Sequence, residues 1–153
     1  MNNKVILLVE DNPDDEELTR VAFQESHIAN ELMVTRDGAE ALDYIFGTGP
    51  FAGRDLNVMP SVILLDLKLP KVDGLEVLRR LRSEERTKRI PVVILTSSKE
   101  QEDVVRSYDL GANSYVRKPV DFAQFLDAAQ NLGLYWLVLN EPALPVKGPG
   151  AGS

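Results

Sequence analysis

The chain has 153 residues, enough for one ordinary domain with a real core, and a formal net charge of −7 from 24 acids against 17 bases. That balance argues against sequence-independent binding to nucleic acid or an anionic membrane, and the apolar runs are too short to span a bilayer. No cysteine is present, which excludes disulfides, thiolate zinc sites and thiol catalysis. The start, Met1-Asn2-Asn3-Lys4-Val5, has no signal-peptide profile, so a cytoplasmic location is the default expectation.

Along the chain, short apolar runs fall at 5–9, 32–35, 62–65, 92–95 and 114–116, each followed by a helix-like stretch. Nearly continuous aliphatic runs of this length read as strands covered on both faces, as in a parallel sheet sandwiched by helices. An α/β doubly wound fold is therefore expected. Helix starts agree with it. Asn12-Pro13 offers a cap and an N1 proline, and Arg36-Asp37-Gly38 reads as a turn into a helix. Asp73 with Glu76, Ser98 with Gln101 and Asp121 with Gln124 have capping-box spacing.

The stretch 47–60 is a long glycine- and proline-bearing insertion between the second helix and the third strand, read as a surface loop in preference to a lid. Arg79, Arg80, Arg82, Arg86, Lys88 and Arg89 form the densest basic patch. Glu84 and Glu85 interrupt it, and it reads as a solvated helix end. Near the C-terminus, Phe122, Phe125, Ala129, Leu132 and Trp136 recur at helical spacing and should face the sheet. Leu134, Tyr135, Leu137, Val138 and Leu139 add apolar groups on other faces. That excess suits a partner or homodimer surface, or equally a segment folded back over the core. The prolines and glycines from Glu141 onward favour a disordered tail, giving a domain over 1–140 and a tail over 141–153.

Asp66 ends the third apolar run, where an acid is costly unless its charge is used. It is not needed as a helix cap, because Asp73 already fills that role. In a doubly wound sheet, ligands bind beyond the carboxyl ends of the strands. The polar residues at those ends are Glu10 and Asp11, Asp66, Thr96 and Lys118. Acids near a helix start are favoured anyway, so Glu10 and Asp11 alone are weak evidence. Together with Asp66 they form a cluster of hard oxygens whose mutual repulsion calls for a cation, and Mg²⁺ fits best. The single histidine, His27, is distant in sequence. A carboxylate beside Mg²⁺ can act as nucleophile toward a phosphoryl group, with the Lys118 ammonium and Thr96 hydroxyl meeting its other oxygens.

Val9-Glu10-Asp11-Asn12, the run from Leu65-Asp66-Leu67-Lys68 to Val72-Asp73-Gly74, Leu95-Thr96-Ser97-Ser98 and Tyr115-Val116-Arg117-Lys118-Pro119 resemble the receiver domain of two-component response regulators. The resemblance covers about residues 4–132. It implies a flavodoxin-like sheet of order 2-1-3-4-5 with helices on both faces, and a chain that catalyses only its own phosphorylation and dephosphorylation. It implies Asp66 as phosphoacceptor. It also implies Asp11 as a direct Mg²⁺ ligand, Glu10 as its partner through water, and the Lys68 backbone carbonyl as a further ligand. Thr96 and Tyr115 resemble the family's switch pair, Ser97 its small residue above the site, and Lys118-Pro119 its lysine–proline step, whose peptide bond is commonly cis.

More narrowly, the 47–60 insertion, the Asn12-Pro13-Asp14-Asp15 start and the ending with Trp136 resemble stand-alone regulators that partner bacterial phytochrome histidine kinases. Such a regulator signals by protein contact, without binding nucleic acid or membrane. Two other readings compete. An aspartate-based phosphatase would place its nucleophile after the first strand, whereas here it comes after the third. A phosphorylation-independent scaffold would not need every site residue.

Overall fold

Aliphatic runs too short for a helix gain most by pairing as strands under a helical cover, and the computed structural model, which describes residues 5–25, 30–69 and 71–131, has five of them. They are β1 (Val5–Val9), β2 (Glu31–Thr35), β3 (Val62–Asp66), β4 (Val92–Thr96) and β5 (Ser114–Arg117). Between and after them lie α1 (Pro13–Glu25), α2 (Gly38–Phe46), α3 (Gly74–Ser83), α4 (Lys99–Tyr108) and α5 (Phe122–Asn131). Every strand pair is parallel and the order is β2-β1-β3-β4-β5, the doubly wound arrangement expected. Strand order reverses at β1, which makes the carboxyl ends of β1 and β3 the natural binding crevice.

Alternate residues of each strand feed two cores. Leu7, Val9, Ile63, Leu65 and Ile94 pack with Ala41, Ile45, Val77, Leu78, Leu81 and Val105 from α2, α3 and α4. Ile6, Leu8, Leu64, Val93 and Leu95 pack on the other face with Phe23 of α1 and Phe125, Ala128 and Ala129 of α5. Fully burying one such aliphatic side chain contributes about 1.5–3 kcal/mol, so these two layers dominate stability. β3 and β4 run one residue past their apolar runs, so Asp66 and Thr96 are the last residues of strands. Ladder pairing sets those ends, because Asp66 is in register with Leu95 and Thr96 with Arg117.

The caps form where expected. Asn12 Oδ1 accepts from the N–H groups of Asp14 and Asp15. Asp37, Asp73, Ser98 and Asp121 each accept from the N–H three residues on. The return half of the box differs at α4 and α5. Gln101 accepts from Ser97 N–H at 2.6 Å and Gln124 from Arg117 N–H at 3.1 Å, instead of from the cap residues. Each thereby ties the exit of a strand to the next helix.

The 47–60 insertion has a single 3-10 turn at Gly49–Phe51 and a strong internal tether. Arg54 donates from Nε to Tyr44 O (2.6 Å), from Nη2 to Ile45 O (3.1 Å) and from Nη1 to Val58 O (2.7 Å). It thus satisfies carbonyls left open at the C-terminal end of α2. In the basic patch, Arg79 pairs with Glu76, and Lys88 and Arg89 with Glu85. Arg82 departs from the solvated reading. It bonds the carbonyls of Ile90 and Gly111 and Asn113 Oδ1, joining α3 to the entries of β4 and β5.

Phe125 and Ala129 face the sheet as their spacing predicts. Leu132, Trp136, the other apolar residues of that ending, the expected dimer surface, the tail over 141–153, His27 and the Phe122 side chain lie outside the described residues. Among the described residues, no helix is long and apolar enough to cross a membrane.

Candidate functional site

Register brings the site together. Val9 is opposite Leu65, so Glu10, one step on, comes up beside Asp66. Thr96 is opposite Arg117, so Lys118 leaves β5 at the same level, its N–H bonded to Thr96 O at 2.8 Å. The Lys118-Pro119 peptide beyond it is cis. Glu10 and Asp66 are buried and Asp11 is exposed, so the acidic cluster opens to solvent on the Asp11 side.

Each of Glu10, Asp11 and Asp66 can offer one oxygen within 4.8 Å of the others, the metal-type cluster found among the described residues. Hard oxygen donors at that spacing suit a divalent cation. Electrostatics argue the same way. Burial, the Asp66 charge and a hydrogen bond with Asp66 push the Glu10 carboxyl up to about 8, against weaker opposing pulls from Lys118 and the Asn12 N–H. A carboxyl this strained prefers a proton or a cation.

Lys118 Nζ supplies part of the countercharge. It lies 3.1 Å from Asp66 Oδ2, 3.3 Å from Glu10 Oε2 and 3.1 Å from Asp15 Oδ2. Burial by itself would lower the pKa of this ammonium. The charge of Asp66, hydrogen bonds to Asp15 and Asp66, and the charge of Glu10 outweigh it and hold Lys118 above the ordinary lysine value. Thr96 is 1% exposed, and its Oγ1 has no hydrogen-bond partner among the described residues. An unsatisfied buried hydroxyl costs about 1–3 kcal/mol, which a ligand oxygen would relieve.

The loop after β3 frames the opening. Lys68 N–H lies 3.4 Å from Asp66 Oδ1, which curls the chain back over the carboxylate. Gly74 lets α3 start close by: a Cβ there would stand 2.4 Å from Asp66 O. Tyr115 lies away from this pocket's salt bridges, with the Arg106 guanidinium 4.1 Å over its ring. Burial pushes its phenol up, partly offset by Arg106.

All the acids and the lysine singled out in the sequence therefore meet. Asp15 carries no such mark in the sequence. In the first turn of α1 an acid is explained by the helix dipole alone, so the sequence gives no separate mark for it.

Five parallel strands wound in this order, with acids at the ends of β1 and β3 and a lysine after β5, define a receiver-type signalling domain. The profile of the response regulator receiver domain matches residues 6–130, and the chain belongs to that family. It is thus a receiver-domain response regulator and not a conventional enzyme. Among solved structures, the bacteriophytochrome response regulator AtBRR is 55% identical with a TM-score of 0.85, covering 92% of this chain and 100% of that one. The bacteriophytochrome response regulator RtBRR is 57% identical with a TM-score of 0.84, covering 93% and 85%. Response regulator Rcp1 of Synechocystis sp. is 40% identical over 134 residues, 88% of this chain and 89% of Rcp1. A solved form of Rcp1 is described as Mn(2+)-bound; it is 39% identical with a TM-score of 0.69, covering 93% and 99%.

Proposed function

We propose that this regulator accepts a phosphoryl group on Asp66 from a histidine kinase, in a Mg²⁺-dependent reaction, and signals by a conformational change read through protein contact. The carrying observation is that a lysine ammonium stands 3.1 Å from Asp66 inside a cluster of acids fit for a divalent cation, while Thr96, with a buried and unsatisfied hydroxyl, ends the neighbouring strand. Phosphoryl transfer needs chiefly an in-line nucleophile and stabilisation of charge on the equatorial oxygens. An Asp66 carboxylate oxygen attacks phosphorus, the bond from phosphorus to the donor imidazole nitrogen breaks, and that nitrogen keeps the electron pair and takes up a proton. Lys118 meets one phosphoryl oxygen and Thr96 Oγ1 donates to another. Glu10, Asp11, Asp66 and the Lys68 carbonyl would hold Mg²⁺, which offsets the remaining charge.

The signalling step starts at Thr96. Drawing its hydroxyl toward the phosphoryl group leaves space that the Tyr115 ring can fill, which reshapes the surface of α4, β5 and α5. Identity of 55–57% to two bacteriophytochrome response regulators supports a phytochrome histidine kinase as the donor. Such a donor places the reaction in the cytoplasm. The proposed domain runs over 1–140, with 141–153 as a tail and the apolar C-terminal segment as a dimer contact.

Acetyl phosphate with Mg²⁺ should add one phosphoryl group by intact mass, and Asp66→Asn should take none. A wild-type protein that takes no adduct from any donor would mark a scaffold. Sustained turnover of external phosphoesters would mark a phosphatase.

A further inference from the structure

Lys118 is held by three carboxylates from three different elements, and one of them has no other task in the proposed reaction. Nζ reaches Asp66 on β3 and Glu10 after β1, both members of the cation-type cluster, and Asp15 Oδ2 on α1 at 3.1 Å. Asp15 is outside that cluster. When Asp66 takes the phosphoryl group its carboxylate becomes an acyl phosphate and no longer holds the amine itself, and a cation competes for Glu10. Asp15 is the carboxylate of the three that the transfer leaves in place beside the amine.

Asp15 is also well placed to be a fixed point. Its N–H donates to Asn12 Oδ1 at 3.1 Å, and its carbonyl accepts from Thr19 Oγ1 at 2.9 Å, so its backbone is locked in the first turn of α1. Its side chain is 24% exposed and the Lys118 side chain 15%, so the pair is screened by water only in part. The dipole of α1 does not require this contact, because Asp14 and Glu16 already supply acids in that turn. A lysine has four rotatable stem bonds and a point charge, so its aim depends on what holds the ammonium.

We infer that Asp15 is a positioning residue for phosphoryl transfer: it anchors the Lys118 ammonium so that one N–H stays aimed at the incoming phosphoryl oxygen. The inference rests on the phosphoacceptor reading of Asp66. Loss of the anchor leaves Lys118 in place but poorly aimed, and misaim of a charge-stabilising group slows transfer without changing the product.

The test measures rates of adduct formation by intact mass with acetyl phosphate and Mg²⁺ on the full chain. Asp15→Ala and the isosteric Asp15→Asn should each slow formation about tenfold, with circular dichroism unchanged. In a Lys118→Ala background the same two substitutions should have no further effect, since there is no amine left to aim. Equal slowing in both backgrounds would overturn the inference and make Asp15 a matter of general folding. Unchanged or faster formation in the native background would also overturn it, the latter showing that Asp15 merely repels an anionic donor. If wild type takes no adduct at all, the phosphoacceptor reading falls and this inference with it. If wild type is modified and the Asp15 variants match it, only this inference falls.

Discussion

Gly38, the first residue of α2, lies directly beneath the carbonyl of Val72 in the loop between β3 and α3. A Cβ at Gly38 would stand 1.7 Å from Val72 O. No side chain fits there, so the loop carrying Lys68 is seated on the bare backbone of α2. Gly38→Ala should therefore destabilise the fold by about 1–3 kcal/mol, the usual cost of overpacking a rigid contact. It should also weaken divalent-cation binding, because the displaced loop bears the Lys68 carbonyl. Thermal melting with and without Mg²⁺ checks both effects. A variant as stable as wild type would show that the loop yields freely and does not depend on this seat.

Glu10 gives the site a pH dependence. Its folded-state value of about 8 stands above the ordinary 4.5. Between those values the folded protein holds a proton that the unfolded chain has lost. The Glu10 contribution to stability is thus fully present below about 4.5 and fades as pH rises through about 8. Under the proposed reading Glu10 helps to hold the cation as a carboxylate, so binding should release this proton at neutral pH, and affinity should climb with pH until about 8 and then level off. Calorimetric titration of Mg²⁺ at pH 7 in two buffers of different ionisation enthalpy should report release of about one proton, lost in Glu10→Gln. Identical heats in the two buffers would show that Glu10 is already ionised.

Most of this site is legible in the sequence because each of its parts stands at a strand end. Glu10, Asp66 and Lys118 lie at or just past the ends of short strand runs, and a doubly wound sheet gathers such residues in one crevice. Asp15 is hidden for a physical reason. It sits inside a helix turn that already explains an acid, and its partner is distant in the chain. Arg54 and Arg82 are hidden too, because their partners are backbone carbonyls, and only the folded chain decides which carbonyls are left open. The ends of β3 and β4 depend on ladder register, which apolar runs do not encode.

The tether of the insertion can be tested apart from the site. Arg54 caps α2 through two carbonyls and lies 4.2 Å over the Tyr44 ring, which also meets the ring of Phe51 edge-on. Arg54→Ala should cost about 1–3 kcal/mol from the carbonyls left unpaired. It should open 47–60 to limited proteolysis while adduct formation on Asp66 continues at the wild-type rate. Loss of phosphorylation together with the tether would show that the insertion serves the site directly.

Arg106 of α4 covers the ring of Tyr115 on β5, the residue that the proposed switch turns inward on phosphorylation. Its guanidinium covers the ring at 4.1 Å and is itself fixed by Glu102, with Nη2 to Oε2 at 2.7 Å. An exposed cation–π contact is worth about 0.5–1 kcal/mol. Under the proposed switch this contact is lost when the ring turns inward, so it biases the unphosphorylated state outward. Arg106→Ala should raise the inward population of Tyr115 roughly two- to fivefold at equal phosphorylation, given that contact energy. The ring resonances of Tyr115 read the population directly, with acetyl phosphate titrated against wild type and variant. Resonances that move with phosphorylation in wild type but are identical in Arg106→Ala would show that the guanidinium contributes nothing to the balance. Resonances that do not move in either protein would remove Tyr115 from the switch altogether.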